Sequence, residues 1–266
     1  MGFAQEQIGP CLLINGDMRE VLPELDVRAD MIMSDPPYRL TSGGNLTGEM
    51  GGCFAKDSYD NSGELFDMVE WVEMAPLIYN ACLANADAII MVNDREEPKA
   101  RLAFEDVGFG FHRLLVWDKV GATPNRWYMP NCEFGLYLWK GRARVIGNPS
   151  SKALIRCPQR DVSGDFHPET MPLAERKDHP TEKPEQLMRF WIENSTDLDD
   201  LVMDPFMGSG STIVAAVQSG RRAVGIEKDS RWFDVACARV ESAVAQGRSD
   251  LFTSAPMSGE QGGLAV

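Results

Sequence analysis

Asp35-Pro36-Pro37-Tyr38 constrains this chain more than any other stretch. The run before it, Asp30-Met31-Ile32-Met33-Ser34, predicts a buried strand. Two prolines end that strand at once, because neither can donate a ladder hydrogen bond and each fixes φ. A carboxylate, a rigid carbonyl-bearing turn and an aromatic ring are thereby placed at the C-terminal edge of a sheet. In open α/β sheets that edge is where ligands bind. The groups suit an exocyclic amino group on a flat ring. Asp35 accepts one N–H, the Pro36 carbonyl accepts the other, and Tyr38 stacks on the ring. Two acceptors on one nitrogen draw its lone pair out of conjugation and aim it at an electrophile, which is orientation plus electrostatic preorganisation. Taken alone, the tetrapeptide reads equally as a strand-ending turn with an aromatic cap.

The periodicity of the remaining chain sets the context. Apolar runs at 11–14, 30–34, 88–92, 114–117, 133–139, 201–203 and 222–226 predict strands. Helical spacing covers 64–85, 95–106, 184–194, 213–219 and 230–246, with a brief turn at 18–22 and Pro76 expected to kink or split the first long helix. This alternation predicts an α/β fold with a mostly parallel sheet. The strands at 114–117 and 133–139 have no helix between them, which predicts an antiparallel pair at one edge. The 266 residues, 44% hydrophobic, make one large domain. Residues 39–62 open with a Gly-rich run and read either as a mobile lid or as a surface insertion. Residues 248–266 are polar and Gly-containing, a tail expected to be disordered.

A second stretch resolves the ambiguity of the first. The predicted strand 201–203 runs into Asp204-Pro205-Phe206-Met207-Gly208-Ser209-Gly210-Ser211-Thr212, and a helix follows. Strand, Gly-x-Gly turn and helix make a nucleoside-binding unit, in which glycines let the backbone approach a ligand. Glu227, ending the next strand, is placed to accept from ribose hydroxyls. The dinucleotide fingerprint fails for want of a third glycine, and the phosphate-binding loop fails for want of Gly-Lys-Ser/Thr. A nucleoside without phosphates fits, and S-adenosylmethionine is one. The other reading of Gly208 and Gly210 is a tight strand-to-helix turn.

Composition excludes some chemistry. The six cysteines form no Cys-x-x-Cys pair, and with three scattered histidines they give no metal-ligand spacing. No apolar run reaches the length of a membrane span and no signal peptide is evident, so an intracellular, metal-free protein is expected. The net charge of −14 argues against a generally sticky nucleic-acid binder. Locally the sign reverses: residues 141–177 hold seven basic side chains against four acidic ones.

Taken together the two stretches resemble the beta class of DNA amino-methyltransferases, which methylate adenine N6 or cytosine N4. Smaller matches come in that family's order: Asn15-Gly16-Asp17 before the first motif, Cys132-Glu133 to Lys140-Gly141 as its late strand, and His179-Pro180-Thr181-Glu182-Lys183-Pro184. The resemblance implies a Rossmann-like sheet of seven strands, one antiparallel, and a base flipped into the pocket. It assigns Asp35, Pro36, Pro37 and Tyr38 to catalysis. Asp17 contacts the adenine of S-adenosylmethionine and Glu227 its ribose. Asp204, Phe206, Gly208, Ser209 and Gly210 shape the methionine end. Thr181 and Lys183 are candidates for the methionine carboxylate, Lys183 being equally readable as a solvated residue at a helix start. Target recognition falls at 141–178, with Arg142, Arg144, Lys152 and Arg156 as phosphate contacts and Arg126, in Asn125-Arg126-Trp127-Tyr128, as a second candidate. Asp at the first motif position accompanies adenine in this family, so N6-adenine in double-stranded DNA is expected. N4-cytosine, RNA or a small amine as substrate, and a non-catalytic nucleic-acid-binding module, are the alternatives. A homodimer is compatible with the sequence.

Overall fold

The computed structural model describes residues 2–37, 68–120, 128, 131–157 and 183–253, with the backbone alone for 248–253. In chain order the elements are β1 (Ala4–Ile8), β2 (Cys11–Asn15), α1 (Met18–Glu24), β3 (Ala29–Ser34), α2 (Trp71–Ala81) and β4 (Cys82–Val92). Then come α3 (Glu97–Asp106), β5 (Gly110–Asp118), β6 (Cys132–Lys140), β7 (Leu154–Arg156) and α4 (Glu185–Ser195). The chain continues through β8 (Leu201–Asp204), α5 (Ser211–Gln218), β9 (Arg222–Glu227) and α6 (Ser230–Thr253). The strands form one sheet in the order β1-β2-β9-β8-β3-β4-β6-β5-β7. Five central strands, β2 to β4, are mutually parallel.

Helices cover both faces. Along β3, Met31 and Met33 point into the layer that holds Leu187, Trp191, Ile213 and Phe233 from α4, α5 and α6. Ile32, one residue between them, points to the opposite layer with Met18, Met74, Ile78 and Phe104 from α1, α2 and α3. That is the period-two alternation of a strand buried on both sides.

The α/β fold with a mostly parallel sheet is as expected, and several details differ. The sheet has nine strands among the described residues instead of seven. β1 escaped the periodicity because its sequence, AQEQI, is exposed at four of five positions. An edge strand is held by ladder bonds to β2, not by burial, so it leaves no apolar signature. The antiparallel strand β6 is not at an edge. It lies between β4 and β5, antiparallel to both. Pro76 does not break α2. It removes only the bond to the carbonyl of Val72, a residue 75% exposed, where water can take that carbonyl. Residues 82–85, expected in the helix, begin β4. α6 extends to Thr253, so the start of the expected disordered tail is helical. Residues 39–62, 158–178 and 254–266 lie outside the described residues. No helix among the described residues is long and apolar enough to cross a membrane.

Phe104 is fully buried in α3, with its ring 5.7 Å edge-on from Phe109. Phe104→Ala is expected to lower stability by about 3–5 kcal/mol, read as a shift of the urea midpoint.

Candidate active site

The geometry starts where β3 and β8 lie side by side. From β3 the chain leads through α2 to β4 on one side; from β8 it leads through α5 to β9 on the other. The crevice at the C-terminal ends of these two strands is therefore a topological switch point, the usual ligand position in such sheets. Ser34, Asp35, Pro36 and Pro37 end β3, and the 204–210 loop ends β8. Ser34 Oγ donates to Asp204 Oδ1 at 2.6 Å, and Phe206 N donates to the same oxygen at 3.0 Å. Asp204 is 2% exposed. Burial pushes its carboxyl up to about 6, against the bonds from Ser34, Thr212 and the Phe206 N–H; the Asp35 charge adds to the rise. Asp204 is thus a brace between the two loops, with its carboxylate engaged inside the protein.

The glycines of the second loop do different work. Gly208 and Gly210 both have positive φ, 51° and 86°. A Cβ on Gly210 would press Ala236 of α6 at 3.1 Å, so this glycine serves close helix packing. A Cβ on Gly208 would meet nothing within 4 Å, so its backbone borders open space that a ligand can fill. Gly208 N donates to Glu227 Oε2 at 2.9 Å and Asp229 N donates to Oε1 at 2.8 Å. Burial raises the Glu227 carboxyl, opposed by these backbone donors. The Ser209 carbonyl and hydroxyl accept from Arg239 Nη1 at 2.8 and 2.9 Å, and Arg239 also pairs with Glu185. Phe206 is partly buried against the core.

The turn after β2 is sewn to the end of β9. Asn15 Nδ2 and Gly16 N both donate to the Glu227 carbonyl, at 2.8 and 3.0 Å. Asp17 caps α1 by accepting from Arg19 N at 2.9 Å, and its carboxylate pairs with Arg19 and, at 3.0 Å, with Lys228. The hydrogen bonds from Arg19, against a burial cost, hold the Asp17 carboxyl far below the usual range. Asp17, Glu227 and Gly208 therefore share one corner of the strand ends.

Asp35 stands at the other side of the crevice. Its Oδ2 lies 2.8 Å from Lys183 Nζ, which is also 2.9 Å from Glu133 Oε2. Glu133 Oε1 is 3.1 Å from Lys119 Nζ. Asp35 Oδ1 is buried and has no hydrogen-bond partner among the described residues. Burial raises the Asp35 carboxyl, Lys183 opposes that, and the Glu133 charge adds to it. Burial would also raise Glu133, but Lys183 and Lys119 overcome it and bring the carboxyl to about 2.

Lys183, a candidate for the methionine carboxylate, contacts the Asp35 carboxylate in this structure. Glu133, Lys119 and Arg239 were not singled out as site residues. The one available signal was a lone carboxylate at the start of an otherwise apolar strand, Cys132–Lys140. Tyr38, Thr181 and Arg126 lie outside the described residues. Of the basic candidates, Arg142 and Lys152 are exposed. Arg144 pairs with Asp197 and Asp200, and Arg156 with Asp118. A cavity of about 250 Å³ lined by Asn85, Asp87, Arg142 and Arg144 lies at the start of β4, the opposite end of the sheet from the crevice. The strand-end geometry marks the functional site; cavity size does not. Among the described residues no three His, Cys, Asp or Glu stand together as a metal site.

A switch-point crevice flanked by Asp35-Pro36-Pro37 and Gly208-x-Gly210 on this sheet defines a Rossmann-like methyltransferase fold. The solved M1.HpyAVI–SAM complex superposes with a TM-score of 0.61 at 22% identity, over 86% of this chain and 99% of that one. PvuII DNA methyltransferase (cytosine-N4-specific) gives 0.65 at 15% identity, over 94% and 95%. The Type II methyltransferase M2.DpnII of Streptococcus pneumoniae is 29% identical over 245 residues, 87% of this chain and 90% of that protein. The DNA methylase family model for N6 and N4 enzymes matches residues 29–237, and the chain belongs to that family of DNA methyltransferases.

The brace carries a pH signature. A carboxyl raised in the fold favours the protonated form, so stability from Asp204 is complete below about pH 4 and is lost as pH rises through 6. Asp204→Asn removes this titration. Between pH 4 and 7 the parent is expected to lose about 2 kcal/mol more than the variant, measured by urea unfolding at each pH.

Proposed function

We propose that this DNA methyltransferase methylates the N6 amino group of adenine in double-stranded DNA, with S-adenosylmethionine as donor. The observation that carries the reading is the buried Oδ1 of Asp35 at the switch point, which has no partner among the described residues. A buried acceptor without a donor costs about 1–3 kcal/mol, and an amino N–H from a flipped base would relieve it. The Pro36 carbonyl accepts the second N–H, and Tyr38 stacks on the ring, an interaction worth about 1–3 kcal/mol.

The donor fits the opposite side of the crevice. The open space beside Gly208 admits it, and the carboxylates of Glu227 and Asp17 hold its nucleoside half. A carboxylate has roughly four acceptor sites, so the backbone donors on Glu227 leave room for ribose hydroxyls. Phe206, Ser209 and Gly210 shape the methionine end, with Asp204 acting through the loop it braces; Thr181 is the remaining candidate for the carboxylate. M1.HpyAVI, whose structure is of a SAM complex, supports the choice of donor. When bound, S-adenosylmethionine supplies an electrophilic methyl whose C–S electron pair stays on sulfur. Asp35 and Pro36 orient the amino lone pair toward it, and Asp35 stabilises the positive charge that nitrogen gains as the N–C bond forms. The surplus proton on nitrogen leaves to solvent.

Adenine is preferred to cytosine because the first motif residue is Asp35. The second reading is N4-cytosine, since PvuII DNA methyltransferase carries that specificity on a similar fold. Digesting enzyme-treated duplex DNA to nucleosides and weighing them by mass spectrometry decides between the two. Methylated deoxyadenosine is expected, and methylated deoxycytidine alone would overturn the adenine assignment. Asp35→Ala is expected to abolish the product while calorimetry shows donor binding retained.

The segment 141–178 is our proposed target-recognition element, acting inside the cell on a base-paired site. Within it the exposed Lys152 is the proposed phosphate contact; Arg142 lies at the opposite end of the sheet from the crevice, bonded through its backbone N to Asn85, and Arg144 and Arg156 serve internal ion pairs. Replacing Lys152 by Gln is expected to weaken DNA binding and reduce its salt slope by about 1. A titration of binding against salt checks this; an unchanged slope would move recognition to the neighbourhood of Arg126.

A further inference from the structure

We propose that Lys183 and Glu133 are positioning residues for Asp35: Lys183 pins Oδ2 so that Oδ1 faces the target amino group, and Glu133 holds Lys183 there. The inference rests on the reading of Asp35 given above and assigns Lys183 a different task from donor binding. Its basis is a chain of four alternating charges. Asp35 Oδ2, Lys183 Nζ, Glu133 Oε2 and Oε1, and Lys119 Nζ follow at 2.8, 2.9 and 3.1 Å. Four places in the fold supply it: the end of β3, the second residue before α4, the start of β6, and Lys119 just beyond β5. The lysine side chain is 12% exposed, the glutamate 19% and the aspartate 28%, so water screens the Lys183–Glu133 contact less than the Asp35–Lys183 contact.

The geometry assigns a task to each member. A carboxylate that ends a strand can rotate about its Cα–Cβ and Cβ–Cγ bonds. An ammonium on one oxygen stops that rotation and directs the other oxygen. Holding an acceptor within a fraction of an ångström is worth a large factor in rate, about 100-fold for a 1 Å misplacement. Lys183 alone would have a drawback. Its charge would cancel that of Asp35, and the amino nitrogen becomes positive as the N–C bond forms. Glu133 corrects this. The four charges together are neutral, and Asp35, at the crevice end of the row, presents its negative end to the amino group. Lys119 anchors the far oxygen of Glu133 and lies 6.0 Å from the Trp117 ring, as Lys183 does. Burying these charges is tolerable only because each has a partner.

The other charge that faces Asp35 is Asp204, from β8, and it is present in every variant below. Removing Lys183 takes away the cation that opposes protonation of Asp35. Removing the Glu133 charge leaves Lys183 unopposed. The two substitutions therefore move Asp35 in opposite directions.

Single-turnover methylation at saturating DNA and S-adenosylmethionine, followed from acid to neutral pH, tests this in the full-length enzyme. Lys183→Met is expected to lower the rate by up to about 100-fold and to shift the acid limb to higher pH. Glu133→Gln is expected to lower the rate and shift the limb to lower pH. Lys183→Arg is expected to recover part of the rate, and the Kd for S-adenosylmethionine is expected to stay at the parent value in all three. The Lys183→Met/Glu133→Gln pair, which removes the Glu133 charge that Lys183→Met would strip of its inner cation, covers the case in which Lys183→Met fails to fold, and it too is expected to show the lowered rate. Weakened donor binding with unmoved limbs would overturn the proposal and return Lys183 to the methionine carboxylate. Parent rates and limbs in every variant, alongside an inactive Asp35→Ala, would overturn it while leaving the reading of Asp35 intact. An active Asp35→Ala would instead overturn that reading.

Discussion

The hydrogen bond from Ser34 Oγ to Asp204 Oδ1, 2.6 Å long and buried, joins the two halves of this molecule. β3 and β8 pair over a short register, Met31 with Val202 and Ile32 with Met203. Their chains then diverge, one into Asp35-Pro36-Pro37 and the other into the glycine loop. A sheet that opens at its strand ends needs something to fix the gap, and Asp204 does so by receiving the Ser34 hydroxyl and the Phe206 N–H together. The carboxyl is pushed to about 6 by its burial, so the brace is costly when ionised. That cost is the kind expected where site geometry takes precedence over stability.

Each side of the crevice is stiffened by its own bonds. On the glycine-loop side, Gly208 N and Asp229 N hold the Glu227 carboxylate while Arg239 grips Ser209 from α6. The Asp35 side depends on ion contacts, which are stronger under low exposure than on the surface. The chain's net charge of −14 is compatible with a DNA substrate because attraction to phosphate is local, within about a Debye length of the contact. Two arginines of the basic stretch are nevertheless spent on internal carboxylates. The charge count of that segment overstates what it offers to DNA.

Much of the fold was legible because its central strands are buried on both faces and so are written as apolar runs. Where burial is absent the pattern fails, as with β1, whose exposed residues carry no period. Pro76 misled for a related reason: the penalty of a helix proline depends on whether the orphaned carbonyl faces water, and that is a property of the packed helix. The motif residues were legible because glycine at positive φ and proline after a strand leave few other options. Asp204 and Lys183 are both legible as candidates, but a side chain's partner is not encoded in its position along the chain.

The sequence by itself determined the class: a strand ended by Asp35-Pro36-Pro37, a second ended by the Gly208-x-Gly210 turn, and helices between. Local rules suffice there, since backbone sterics and apolar periodicity act over a few residues. Tertiary structure alone decided the environment of the Asp35 carboxylate. β6 enters the sheet between β4 and β5 and runs antiparallel to both. Its first residues therefore meet the C-terminal ends of its neighbours, Glu133 opposite Trp117. A parallel strand there would have carried Glu133 to the far end of the sheet. Strand direction is set by how the whole sheet closes its hydrogen-bond ladder, and that choice placed Glu133, through Lys183, beside Asp35.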